Sequence, residues 1–488
     1  MNRRDMIRRT LLSTLGGASL YSQFGNLRLL QAAALDQSIV PSGSEDYKAL
    51  VCVFLNGGND NVNTVIPRDS SGYAAYLDAR PGLALPLTNL AETHLNPLTA
   101  QSNGREYALH PSALPLRDLF ESGRCAVVAN VGPLIEPVTR ATFQNGSVQV
   151  PPQLFSHSDQ QVFWQTSRPD SNEKIGWAGR MADLLQASNP NLQLSMSISL
   201  RGHNFLQTGV SVQPYSMGTQ GAEARTGYLG GGDNQARRTA IDALLNGPLD
   251  HPLERASADI QKRSRDNYAL ISSALAANAA LVTPIPTLPP DLGLVANSAY
   301  GQLVGQLRMV GRMIQARSQL GQRRQIFYVS IGGYDFHDRL QDDHRDQLAA
   351  LSYALQMFHD ITVELGMQDK VTTFTASDFG RTSSANGDGS DHGWGGEHFV
   401  IGGAVRGRDI YGELPNLTRA GPDDAGWGQL IPKLAVDQYA ATLARWFGVS
   451  ESQIDSIFPA LNASAPRFGP ASGGYINTYR DLGFMAGA

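Results

Sequence analysis

Short runs of consecutive apolar residues, each closed by glycine, asparagine or aspartate, punctuate the chain and predict strands buried on both faces. The first, 49–55, ends in Asn56-Gly57-Gly58-Asn59-Asp60. The second, 125–131, follows a predicted helix over 112–122, which sets the β-α-β rhythm of a parallel sheet. A third, 326–331, enters Gly332-Gly333-Tyr334-Asp335, a fourth, 371–376, enters Ser377-Asp378-Phe379-Gly380, and 398–403 is a fifth. Between the second and third strands the pattern changes. Residues 216–236 read as loop, 253–281 has helical spacing, 282–290 is a proline-rich connector, and 300–320 predicts another helix. The pattern therefore predicts an α/β fold with a mostly parallel sheet. Residues 35–215 and 323–488 form its two parts, and 216–322 is a loop and helical insertion able to cover the strand ends.

The N-terminus belongs to neither part. Asn2-Arg3-Arg4-Asp5-Met6-Ile7-Arg8 resembles the twin-arginine export consensus, and the apolar stretch 10–24 after it is diluted by glycine and serine. That stretch is shorter than the ~20 strongly apolar residues of a membrane span. Ala32-Ala33-Ala34 offers the small residues of a cleavage site, so 1–34 is expected to be a signal peptide removed after Ala34. The expected destination is the periplasm or the medium, reached folded through the twin-arginine translocase, with no stable membrane anchor after cleavage. A net charge of -5 and the lack of any basic block beyond the signal argue against nucleic acid as a partner. The two cysteines, Cys52 and Cys125, lie inside strand-like runs and are expected to be buried and reduced.

Three predicted strands end at an aspartate, and open parallel sheets bind ligands beyond the carboxyl ends of their strands. Asp60, Asp335 and Asp378 are thus expected to share a site, against the alternative that each is a turn or N-cap residue. Histidines gather in the same loops: His337 two residues after Asp335, and His392 and His398 around a glycine-rich segment beyond Asp378. Carboxylate and imidazole donors on glycine-hinged loops suit a divalent metal site, for zinc, manganese or iron more than calcium. His344 and His359 read as structural residues of a helix. Ser156 and Ser158 precede a helix-like run, 159–165, where a hydroxyl either caps the helix or acts as a nucleophile aided by the helix dipole. His157 between them can add a ligand or an acid, and Arg381 can pair with a tetrahedral anion or form a surface salt bridge. Trp164, Trp394 and Tyr334 suit either a sugar ring or the core. No Gly-x-Ser-x-Gly elbow or phosphate-binding P-loop is present.

The runs Leu55-Asn56-Gly57-Gly58-Asn59-Asp60-Asn61-Val62-Asn63, Ser156-His157-Ser158-Asp159-Gln160-Gln161, Gly332-Gly333-Tyr334-Asp335-Phe336-His337, Ser377-Asp378-Phe379-Gly380-Arg381 and Asp391-His392-Gly393 resemble, in order, the motifs of the domain of unknown function 1501 family. The resemblance implies a three-layer core like that of the alkaline phosphatase and sulfatase superfamily. It also implies a metal-dependent hydrolase of phosphate or sulfate esters, acting on a small anionic ester or a sulfated or phosphorylated polymer. On that footing Asp60, Asp335, His337, Asp378 and either His392 or His398 would be metal ligands. Phe379 stands where the superfamily motif has a histidine, which leaves one site short of a ligand unless Asn61 replaces it. The same departure supports an alternative, a non-catalytic exported binding or assembly protein.

Overall fold

The computed structural model describes residues 46–101, 104–224, 231–248, 250–469 and 479–487. The expected signal peptide, 1–34, and part of the expected loop, 225–230, lie outside the described residues.

The central sheet is built from β1 (Lys48–Leu55), β2 (Cys125–Gly132), β3 (Ser197–Ser199), β4 (Tyr215–Ser216), β5 (Arg324–Ile331), β6 (Val371–Ser377), β7 (Gly396–Ile401), β8 (Ile410–Tyr411) and β9 (Leu434–Ala435). Their order is β8-β2-β7-β6-β1-β5-β3-β4, with β9 added beside β2. All neighbours are parallel except β7, which runs antiparallel to both β2 and β6. The five predicted strands are the long central ones. The short strands β3, β4, β8 and β9 carry too few residues to leave a periodic signal.

Alternation explains why these strands read as continuous apolar runs. Successive side chains point to opposite faces, so a strand covered on both sides needs apolar residues throughout. Along β1, Ala49, Val51, Val53 and Leu55 enter one buried cluster, while Leu50, Cys52 and Phe54 enter the other. Cys125 lies in the first cluster and Cys52 in the second, on opposite faces of the sheet, and both thiols are free as expected.

Helices cover each face. On one side lie α7 (Leu294–Gln315) and α8 (Leu340–Glu364); on the other lie α4 (Trp177–Leu185) and α9 (Val436–Phe447). Leu303, Leu307, Val310 and Ile314 repeat at three- and four-residue spacing and place one buried stripe of α7 on the sheet. This helix of the 216–322 stretch is therefore part of a core layer. The loop expected over 216–236 also ends early, because α5 (Asp233–Asn246) begins inside it on the helix formers that follow Asp233. The result is a three-layer α/β fold. Among the described residues no helix is long and apolar enough to cross a membrane.

Candidate functional site

Strands β5, β1 and β6 lie side by side and end level, Leu55 pairing with both Ile331 and Ser377. The loops that carry Asp60, Asp335 and Asp378 therefore leave the sheet together. Gly57 and Gly58 let them pack without side chains between them. Both have positive φ, +116° and +89°; a Cβ on Gly57 would lie 2.5 Å from the Asp335 nitrogen, and one on Gly58 2.5 Å from the Phe379 ring. The Ser377 hydroxyl closes the base, donating to the Leu55 carbonyl (2.7 Å) and accepting from Asn59 N–H (2.9 Å).

Two further elements complete the site. Helix α3 (His157–Thr166) brings His157 in at its first position, and a hairpin of Arg381–Ala385 and Ser390–His392 carries Arg381 and His392 as register partners. One ligand atom from each of His157, Asp335 and His392 lies within 4.8 Å of the others. The outer nitrogens of both histidines are already engaged. His157 Nδ1 is 2.7 Å from Asp378 Oδ2, and His392 Nδ1 is 2.7 Å from the Phe155 carbonyl. A carbonyl can only accept, so His392 carries its proton on Nδ1, and the carboxylate imposes the same tautomer on His157. In the neutral rings the Nε2 lone pairs are then left facing Asp335. His157 Nε2 is buried without a hydrogen-bond partner and stands 3.4 Å from Asp335 Oδ2. His337 Nε2 joins from the solvent side, 2.9 Å from His392 Nε2 and 3.1 Å from Asp335 Oδ1.

This donor set fits a divalent ion. Ligands around one tetrahedral zinc sit roughly 3.3 Å apart, given bonds of ~2.0–2.1 Å, so modest inward rotation of exposed side chains would close the cluster. Asp378 and the Phe155 carbonyl stand where outer partners would orient the two histidines on such an ion. Phe155 holds its carbonyl there from a left-handed backbone, φ +72°, a conformation that bulky residues rarely adopt.

The charges run in gradation from core to solvent. Asp378 and Arg381 are fully buried at their side chains, whereas Asp335 and His337 are nearly half exposed. The Asp378 hydrogen bond raises the pKa of His157 against the opposing effect of burial, while burial lowers that of His392. Burial alone would raise Asp335, but the hydrogen bond and charge of Arg381 outweigh it and hold the carboxyl below its ordinary range. Arg381 itself donates to Asp335 (2.6 Å), to the Gly57 carbonyl (3.3 Å) and to both oxygens of Ser390. Arg381 thus forms a salt bridge, one of its two expected uses, but as a buried side chain and not at the surface.

Asp60 is not brought into the cluster. Both its oxygens accept from Arg80 at 2.6 Å, with neither side chain exposed, so the carboxylate has no free lone pair facing the histidines. Burial would raise its pKa, yet Arg80 brings it below the ordinary value. His398 also lies elsewhere. On β7 it shares the face of Val400 and packs edge-on against Trp164 (4.6 Å between centroids) and near Tyr439, where burial lowers its pKa to about 3. Asp378 lies outside that cluster: its Oδ2 holds His157, and its Oδ1 is buried without a hydrogen-bond partner. Asn61 Oδ1 accepts from Arg381 N–H (2.8 Å) and replaces no ligand. The Phe379 ring forms a wall, with its centroid 4.8 Å from His157 and 4.6 Å from His392.

Ser156 and Ser158 both donate to Asp159 Oδ2, at 2.7 and 3.2 Å. Helix α3 starts at His157, two residues earlier than the expected run, so Ser156 holds the N-cap position without a capping hydrogen bond. Trp164, Trp394 and Tyr334 are core residues, Trp394 donating to the Pro133 carbonyl. His344 lies buried on α8, as expected, with its pKa lowered to about 4 by burial, and His359 is buried on the same helix.

Three contributors have no clear signal in the sequence. Gln161, one helical turn after His157, donates to Asp378 Oδ2 (2.9 Å); Arg80 follows α1 (Ser70–Ala79) and reaches back to Asp60. Glu397 is 4% exposed and one of its oxygens has no partner, so burial, aided by the charge of Asp60, raises its pKa to about 8. The folded chain then holds a proton that the unfolded chain has released, and stability falls as pH rises from near 4.5 to about 8. Glu397→Gln stays neutral throughout, so its Tm should lose that decline. Parallel declines in the two proteins would contradict the assignment.

Comparison with known proteins places these features in a family. A search of curated proteins finds no sequence match. Among solved structures the chain is similar to Ps i-CgsB in complex with k-i-k-neocarrahexaose, at 9% identity and a TM-score of 0.31 over 87% of this chain and 78% of that one. It is similar to the lipoteichoic acid synthase LtaP from Listeria monocytogenes, at 8% identity and 0.31 over 80% and 75%. It is also similar to the PsFucS1 sulfatase from Pseudoalteromonas sp., at 8% identity and 0.32 over 88% and 72%. The family model described as protein of unknown function (DUF1501) matches residues 47–425, a span that includes every residue of the His/Asp cluster. The chain belongs to the DUF1501 family.

Proposed function

We propose that the chain is an exported metal-dependent hydrolase of phosphate or sulfate esters, with one metal ion held by His157, Asp335 and His392. The observation that carries this reading is the pair of histidines whose Nδ1 atoms are fixed by Asp378 and the Phe155 carbonyl, so that both Nε2 atoms face Asp335. A bound zinc or manganese ion would supply Lewis-acid polarisation of the ester oxygen. The remaining work falls to the chain. Ser156 is the proposed nucleophile, because Asp159 stands 2.7 Å from its hydroxyl, in position to take the proton. Ser158, exposed and 3.2 Å from the same carboxylate, is the weaker candidate. Arg381 is a positioning residue that holds Asp335. His337, exposed at the rim, can donate to the leaving group.

A single ion is proposed because the other position implied by the family resemblance is filled by protein. Arg80 neutralises Asp60, and Phe379 occupies the place of a histidine. These two substitutions also favour the second reading, a binding or assembly protein that retains a metal without turnover. Export rests on Arg3-Arg4 and the Ala32-Ala33-Ala34 site, and a chain recovered from the periplasm should begin at Leu35. Mature protein loaded with zinc or manganese should hydrolyse an aryl sulfate or aryl phosphate, lose that activity on chelation, and lose it in Ser156→Ala. Bound metal with no turnover of either ester would reject the hydrolase in favour of the binder.

A further inference from the structure

Beside the histidine cluster, the ends of β1, β3, β4 and β5 and one side of α3 enclose a cavity of about 640 Å³. That lies within the range of sites that hold a small-molecule ligand, roughly 300–1,000 Å³. Gln161 is the shared wall. It lines the cavity, and its amide donates to Asp378, the residue that orients His157. Whatever occupies the cavity therefore lies next to the proposed reaction centre.

The lining is polar, and several of its groups are uncommitted. Gln165 accepts from Phe205 and Leu206 N–H through its carbonyl oxygen, which leaves its amide NH₂ without a partner among the described residues. Gln161 retains its oxygen as an acceptor, and Ser330 its hydroxyl. Arg201 supplies a positive charge: exposed at the rim, it forms no ion pair among the described residues. His203 stands beside it, stacked edge-on against Phe205 at 5.4 Å. Glu223 is the lone carboxylate of the lining, turned toward Gly218. Amide donors and acceptors suit hydroxyl groups, and a free guanidinium suits sulfate or phosphate.

We infer that this cavity is a subsite for the remainder of the substrate, a saccharide bearing a second sulfate or phosphate group that Arg201 binds. The inference rests on the proposed reaction centre for the identity of the first group. It explains how a site whose own arginine is spent on Asp335 would discriminate a multiply charged sugar from a simple ester. Arg201 is here a specificity residue, remote from the bond that breaks.

Calorimetric titration of the mature, zinc-loaded chain with a multiply sulfated disaccharide, a singly sulfated monosaccharide and inorganic sulfate tests it. The disaccharide should bind more tightly than the monosaccharide by about tenfold to a hundredfold, the worth of one charge-assisted hydrogen bond. Arg201→Ala should shrink that difference by about tenfold or more, the share of the lost charge-assisted contact, while Arg201→Lys should keep part of it. Equal affinities in the wild type, a preference untouched by Arg201→Ala, or binding of sulfate alone would each overturn the subsite. Arg201-dependent binding without turnover of any ester would reject the hydrolase and leave the subsite standing. Turnover of an aryl ester with no Arg201-dependent preference would do the reverse.

Discussion

Arg80→Ala is expected to destabilise the folded chain by about 3–5 kcal/mol, because removing one partner of a buried ion pair leaves the other charge uncompensated. Asp60 and Arg80 form two hydrogen bonds at 2.6 Å with neither side chain exposed, so water cannot replace the lost partner. Arg80 also donates to the Thr382 carbonyl (2.6 Å) and the Ser383 carbonyl (3.1 Å), tying down the strand that begins at Arg381. The variant should therefore loosen the hairpin that carries Arg381 and His392 as well as lower the urea midpoint. Adding Asp60→Asn removes the orphaned charge and should recover a substantial part of the loss. A loss below about 1 kcal/mol, the scale of an exposed pair, would mean that Asp60 is not held as described.

Asp378→Asn is expected to weaken metal binding about ten- to a hundredfold while leaving the fold intact, the usual effect of altering the outer partner of a ligating histidine. Asp378 Oδ2 bonds His157 Nδ1 and Gln161, and Asp378 lies outside the three-residue donor cluster, so its expected effect passes through His157 Nδ1. An asparagine oxygen can still accept that hydrogen bond, but it lacks the charge that raises the His157 pKa and strengthens Nε2 as a donor. Competition with a chelator of known affinity for zinc measures the change. An unaltered affinity in a normally folded variant would remove His157 from the ligand set.

Much of this architecture was legible because a doubly covered sheet forces apolar residues onto both faces of its central strands. β1, β2, β5 and β6 announce themselves that way, and their terminal loops name Asp335, Asp378 and His337. His392 and His157 were legible as glycine-flanked or helix-leading histidines. The direction of β7 was not. Apolar spacing says nothing of strand direction, nor of which face His398 takes; its side chain lies on the Val400 face against Trp164 and Tyr439, and that buries it. The pairing of Asp60 with Arg80 was hidden for another reason: a salt bridge between a strand-end loop and a helix terminus has no periodicity, and an isolated arginine reads as surface. The packing of α7 on the sheet was not legible either, because periodicity shows that a helix has an apolar stripe but not what the stripe covers.

The proposed reaction centre requires one ion bound between His157, Asp335 and His392. Elemental analysis of the mature chain folded in zinc-replete medium, beside the His157→Ala/His392→Ala double variant checked for retained fold, addresses it directly. A single equivalent of metal in the wild type and essentially none in the double variant is the predicted result. A metal-free wild type, or equal metal in both proteins, would contradict it.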